Sequence, residues 1–167
     1  MHEKSEILFI DDNVVMARWQ RMLTVLWQGE TLAAQIETLR AHGRRLHEDS
    51  PEGIAILTLI EQSAPMPSAE ARAAVAKGLA DPQIGTRCSA VVFEGEGFRS
   101  AAVRSVVSGL TLLAKPPYEH KIFANIGEAS IWLAATAKDA MGWSVTSLEV
   151  RDAASDLRAQ VAAARGR

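Results

Sequence analysis

The chain has 167 residues, 48% of them hydrophobic, and a formal net charge of −2 at pH 7. This size and composition predict a globular protein and exclude a disordered chain. The small charge gives no global attraction to nucleic acid, so we expect no nucleic-acid partner. The single cysteine, Cys88, excludes an internal disulfide. The sequence contains no run of about 20 apolar residues, so we expect no transmembrane segment. A cytoplasmic location is the expectation.

The N-terminal part of the chain predicts antiparallel strands. Apolar runs at residues 7–10, 14–19 and 22–27 are separated by short polar segments, as in a meander. The polar segment at residues 20–21 is a weak turn signal, so the runs 14–19 and 22–27 are also compatible with one long bent strand. Thr31 then follows as the expected N-cap of a helix. The residues on the predicted buried face of this helix are Leu32, Ile36, Leu39, Gly43 and Leu46.

The middle of the chain contains the clearest strand. Residues 54–60 form a continuous apolar run with one threonine, which is typical of a central strand that is buried on both faces. The Ser- and Pro-rich loop 61–68 follows its carboxyl end, where functional groups collect in open α/β sheets. Ser68 is the predicted N-cap of a helix over 69–79, and phosphorylation of Ser68 is the alternative role.

Residues 88–117 predict a strand, a glycine turn and a helix. The apolar run 90–93 is closed by Gly95 and Gly97, and the prolines at 116 and 117 end the helix because proline lacks the amide donor. A buried strand that leads into a helix on its own sheet implies parallel neighbours. The predicted fold is therefore α/β, with N-terminal antiparallel strands followed by alternating helices and parallel strands. The expected buried face of the helix contains Phe98, Ala102, Val103, Val106, Val107, Leu110 and Leu113.

The chain changes character after Gly142. A short strand over 121–124 and a helix capped by Asn125 precede this point. Beyond it, Val150, Ala154, Leu157 and Val161 repeat at helical spacing among polar residues. We therefore divide the chain into an α/β domain over 1–142 and a C-terminal helical extension over 143–167. A helix with so narrow a stripe needs a partner: it docks on its own domain, pairs with a second copy as a homodimer, or frays.

The glycine turn is a candidate ligand site. It precedes a helix N-terminus, where free backbone donors and the helix dipole favour an anion. The expected ligand-binding residues are Gly95, Gly97, Arg99 and Ser100. A turn that simply needs glycine geometry is the alternative, and Glu94 and Glu96 beside it are interpreted as solvated charges rather than a catalytic pair.

The sequence contains no recognisable catalytic or metal-binding set. The four histidines, His2, His42, His47 and His120, form no helical i,i+4 pair, and a lone cysteine adds no ligand cluster. No Gly-x-Ser-x-Gly elbow is present to anchor a hydrolase triad. We therefore expect no metal, no cofactor and no enzymatic activity.

Five short segments support a family resemblance over about residues 6–140. They are Trp27-x-Gly29, the strand 54–60 with Pro65-Met66-Pro67, Gly95-Glu96-Gly97-Phe98, Ile122-Phe123-Ala124 and Ala129-x-x-Trp132-Leu133. With the order of the elements, they resemble the STAS domain of anti-sigma-factor antagonists, and more closely the bacterial STAS/SEC14-like branch. The antagonists carry a phosphorylatable residue in an Asp-Ser-Ser-Gly-like loop. The corresponding residues 63–68 lack that Asp and that Gly, so the antagonist function does not transfer.

Two functions are compatible with these features. The first is a non-enzymatic bacterial regulatory or protein-interaction module that binds an unidentified protein partner. Its expected docking residues are Ser63, Pro65, Met66, Pro67 and Ser68. The alternative is a binder of a small anionic or lipid-like ligand at the helix start formed by Gly95–Arg99.

Overall fold

A computed structural model describes residues 3–167 and contains one mixed sheet. Its strands are β1 (Glu6–Ile10), β2 (Val14–Trp19), β3 (Met22–Trp27), β4 (Ile54–Ile60), β5 (Thr86–Phe93) and β6 (Glu119–Phe123). They lie in chain order across the sheet. The first three pair antiparallel, and β3 to β6 pair in parallel. The predicted α/β class is confirmed, and a turn at Gln20, with φ of 50°, separates β2 from β3.

The helices cover both faces of this sheet. They are α1 (Ala33–Asp49), α2 (Ala69–Ala80), α3 (Phe98–Ala114), α4 (Ile126–Met141) and α5 (Ser147–Arg165). Right-handed crossovers between parallel strands that follow one another in a single direction place their helices on the same face. Helices α1, α2 and α3 are these crossovers. We call their side of the sheet the α1–α3 face and the opposite side the α4/α5 face.

The α4/α5 face holds the larger apolar core. Leu57 and Leu59 of β4, Leu133 of α4 and Leu157 of α5 are all fully buried there. Trp143 packs on Trp19 with 5.9 Å between ring centroids. The apolar stripe of α5 therefore docks on its own chain. A homodimer through α5 stays a prediction, and it would have to use the outward side of that helix.

Polar contacts join α1 to the end of α2 on the other face. Asp81 follows α2, and its side chain is only 5% exposed. It accepts from Arg40 Nε at 2.9 Å and from Arg44 Nη1 at 3.5 Å. Burial raises the pKa of Asp81, but the backbone N–H of Gln83 and the guanidinium of Arg40 outweigh this effect, so that the pKa lies below its usual value. The carboxylate is thus held ionised between the two helices.

Some predicted boundaries are wrong for local reasons. Thr31 is not the N-cap: α1 begins at Ala33, and the cap position is Leu32, whose backbone N–H donates to Gln35 Oε1 at 2.9 Å. Strand β5 begins at Thr86, four residues before the predicted run, and β6 begins at Glu119. The predicted caps are confirmed at the two later helices. Ser68 Oγ accepts from Ala71 N at 3.1 Å, and Asn125 Oδ1 accepts from Glu128 N at 2.8 Å.

Candidate functional site

An apolar cavity of about 140 Å³ lies between the α1–α3 face and the three helices that cover it. Alternate residues of a strand point to the same side of a sheet, so its floor comes from every second residue of the parallel strands. Among the described residues, none that lines the cavity is an Asp, Glu, Lys or Arg. The floor residues are Trp27 of β3, Ile56, Thr58 and Ile60 of β4, Ser89 and Val91 of β5, and His120 of β6.

The helical walls do not fill this space. Val75 and Leu79 of α2 and Val106 and Val107 of α3 line the cavity, yet each is only partly buried. Protein interiors are normally packed as closely as organic crystals. Because these side chains face inward and are still partly accessible, they border space that the chain itself does not fill.

The loop predicted as a docking edge forms part of the cavity wall. Pro65, Met66 and Pro67 all line the cavity, and Met66 is also 48% exposed to solvent. The two serines of the predicted set lie elsewhere. Ser63 Oγ donates to the carbonyl of Gln28 at 2.9 Å, and Ser68 caps α2. The loop therefore has an inner side toward the cavity and an outer side toward solvent.

One arginine connects this loop to the glycine turn. Arg99 Nη2 donates to the carbonyl of Ala64 at 3.3 Å, so the two regions singled out in the sequence are neighbours in space. Gly95 has φ of 116°, and a Cβ there would lie 3.0 Å from Ser100 Oγ. Ser100 is buried, and Gly97 has φ of 99°. The positive φ angles at Gly95 and Gly97 favour glycine at both positions, whether or not a ligand binds there. Anion binding at Gly95–Arg99 stays a prediction.

The predicted buried face of α3 is right in its middle, where Val103, Val106, Val107 and Leu110 line the cavity, and wrong at its ends. Phe98 is 91% exposed and Leu113 is 78% exposed, whereas both were expected on the buried face. Ser100, Val103 and Leu110 are the buried residues of this helix. With 3.6 residues per turn, Phe98 lies roughly 130° around the helix from the inward residues. The outward side of α3 is therefore in part apolar.

His120 is the unusual polar residue of the cavity. Both ring nitrogens are buried, and neither has a hydrogen-bond partner among the described residues. Burial lowers the pKa of His120 to about 4, so the ring is neutral at pH 7. Nearby, Tyr118 Oη donates to the carbonyl of Leu79 at 2.8 Å, and burial raises the pKa of this phenol.

Sequence reasoning considered His120 only as a metal ligand and missed this position. The available signal was the two-residue period of β6, which places His120 on the same side as Ile122 and opposite Phe123. That signal is weak because an edge strand can face solvent. The register of β5 with β6, which sets Ser89 beside His120, is needed to locate the ring.

Other titratable groups make contacts of a structural kind. Arg158 of α5 forms ion pairs with Glu61 at 3.1 Å and with Glu94 at 3.2 Å. The Glu94 side chain is also 44% exposed, so it is a solvated charge that is paired with an arginine. Burial raises the pKa of the Cys88 thiol to about 12, which disfavours a reactive thiolate. Within residues 3–167, no three His, Cys, Asp or Glu side chains are placed to hold a metal ion; His2 lies outside the described residues.

None of the helices in residues 3–167 is long and apolar enough to cross a bilayer. Comparisons with protein-family models, with curated proteins and with solved structures find no match to this chain.

Proposed function

We propose that this chain is a non-enzymatic binding module for a small, uncharged, largely apolar ligand, which it holds in the cavity beneath α2 and α3. The observation that carries the proposal is the unfilled cavity of about 140 Å³ with no charged lining residue among those described. A dry apolar cavity of about 150 Å³ accommodates benzene. The space is thus suited to one ring or a short branched chain.

The charge of the lining favours one of the two ligand classes expected from the sequence. A buried anion needs a cation or several hydrogen-bond donors, because desolvation of an unpaired charge is very costly. The described lining residues supply no cation. These residues therefore support an apolar, lipid-like ligand in the cavity, and anion binding at Gly95–Arg99 stays a separate prediction.

The expected affinity is modest. A single ring removes about 150–200 Å² of apolar surface from water, which is worth roughly 4–5 kcal/mol at about 25 cal/mol per Å². Such a free energy corresponds to a Kd on the order of 1 mM. Toluene is a suitable probe because it is uncharged and has one ring.

The test is a toluene titration followed by two-dimensional amide NMR in sealed tubes. We expect saturable shifts that cluster around the cavity, with a Kd on the order of 1 mM. Val107→Trp places a large ring in the cavity and is expected to weaken binding at least tenfold. Ser108→Trp is the matched control, because Ser108 is the next residue of α3 and is exposed.

Circular dichroism of both variants checks that the fold is retained. Shifts that do not saturate, shifts scattered over the surface, or unchanged binding by a folded Val107→Trp variant would each contradict the proposal.

The outer side of the loop 63–68 supports a second candidate, the protein-interaction module that the STAS-like resemblance implies. Met66 exposes almost half of its side chain beside the exposed Pro65. Met66→Asp is expected to reduce the amount of captured partner protein at least tenfold in a quantitative affinity capture. Leu148→Asp on α5, which alters another exposed apolar residue, is the control. Equal capture by wild type and both variants would contradict the proposal that this loop binds a protein partner.

A further inference from the structure

We propose that His120 is the polar anchor of the cavity and that it selects ligands that carry one neutral hydroxyl group on an apolar ring. This inference rests on the function proposed above, because it names the ligand class for the same cavity. Its motivation is the pair of buried ring nitrogens without hydrogen-bond partners among the described residues.

An imidazole in this state has unused hydrogen-bonding capacity. The neutral ring presents one N–H donor and one acceptor nitrogen, and a buried polar group without a partner carries the full cost of its desolvation. Buried polar groups in proteins almost always have a partner. A ligand hydroxyl can accept from the donor nitrogen or donate to the acceptor nitrogen, and either bond recovers part of that cost.

Most polar groups of the cavity lie together at its β5–β6 side, and Thr58 of β4 and Thr31 before α1 add single hydroxyls elsewhere. Ser89 and His120 occupy paired positions of β5 and β6, and Tyr118 lies just before β6. The Tyr118 hydroxyl is already engaged with the carbonyl of Leu79. On the α1 side the cavity is lined by apolar residues such as Ile36 and Leu39. A ring with one hydroxyl fits this division, with the hydroxyl toward β6 and the ring toward α1.

The charge state of the group is also restricted. The His120 ring is neutral at pH 7, since burial lowers its pKa, and no Asp, Glu, Lys or Arg lines the cavity among the described residues. A carboxylate or an ammonium would therefore enter without a counter-ion. A hydroxyl brings hydrogen-bonding capacity without charge.

The test compares phenol with toluene, because the two molecules differ only in a hydroxyl and a methyl group of similar size. The ratio of their dissociation constants is measured for wild type and for His120→Leu by the same NMR titration. We expect the preference for phenol to be about tenfold larger in wild type than in His120→Leu, since one such bond to a buried group is worth about that factor. This comparison is a double-mutant cycle in which one change is in the ligand.

Two further measurements keep the result interpretable. His120→Gln retains a donor and an acceptor and is expected to keep most of the preference for phenol, which also covers the case in which His120→Leu folds poorly. The imidazole nitrogen resonances of His120 are expected to shift on binding of phenol and to shift much less with toluene. A purely structural role for His120 would not produce this difference.

The outcomes separate the two proposals. If neither molecule binds wild type, the cavity is not a ligand site and the proposed function fails. If both bind and the phenol-to-toluene ratio is the same in wild type and His120→Leu, the ligand-binding function stands and the His120 anchor is overturned.

Discussion

The two faces of the sheet are built from the same strands but are packed differently. On the α4/α5 face, residues such as Leu133 and Leu157 are fully buried in a continuous core. On the α1–α3 face, a cavity of about 140 Å³ remains beneath partly buried valines, and its floor holds a histidine that has no hydrogen-bond partner among residues 3–167. Val91 and Val92 are consecutive in β5 and belong one to each face. The covering helices therefore contribute to the difference, in addition to the polar floor residues Thr58, Ser89 and His120.

Helix α2 explains much of this difference. Its sequence is rich in alanine, and Ala71 is its single buried residue. Short side chains cannot fill the distance between a helix and a sheet, so polar contacts position it instead. These contacts are the hydrogen bond from Tyr118 to the Leu79 carbonyl and the Asp81 pairs with α1. They hold the C-terminal end of α2 and leave space under its middle.

The largest expected effect is in a pair of leucine truncations. Leu133→Ala removes a fully buried side chain from the α4/α5 face and is expected to lower the free energy of unfolding by about 3 kcal/mol. Leu79→Ala removes a partly buried side chain that already borders empty space, so we expect a loss of less than about 1.5 kcal/mol. Urea denaturation measures both. Equal losses would contradict the proposed difference in packing.

A pair of enlargements tests the same comparison from the opposite direction. Val92→Phe overpacks the α4/α5 core and is expected to cost about 1–3 kcal/mol. Val91→Phe extends into the cavity, so its cost should be below about 1 kcal/mol, and it should also abolish toluene binding. Urea midpoints at constant m-value give the first quantity, and the NMR titration gives the second. A greater loss at Val91 than at Val92 would show that the space is not available to an added ring.

The pH dependence of stability probes the buried histidine. The unfolded chain binds a proton at His120 below its ordinary pKa of 6.5, whereas the folded protein does so only below about 4. The folded state therefore loses stability as the pH falls through this window. Between pH 8 and pH 5, wild type is expected to lose about 2 kcal/mol more than His120→Leu. Urea denaturation at pH 8, 6 and 5 measures the difference, and parallel curves would mean that the ring is not buried as described.

The locally encoded parts of the fold were predictable. Residues 54–60 match β4 at both ends, because a central strand is one uninterrupted apolar run. The Ser68 cap also follows from local chemistry. The start of α1 was missed because Gln35 binds the backbone of Leu32 from inside the helix. At α3 the middle of the predicted buried face is right, but Phe98 and Leu113 at its ends are exposed, because apolar residues occur beyond the part of the helix that the sheet covers.

The sequence by itself determined the α/β class and the order of the elements, because strand runs, helical periodicity and turn residues are properties of neighbouring residues. It also pointed to the loop 63–68 and to the turn at Gly95. Only the tertiary structure decided that Arg99 joins these two regions, that the α5 stripe docks on its own sheet, and that His120 faces a cavity. A cavity is the difference between the space that distant elements enclose and the volume of their side chains. No local pattern encodes that difference.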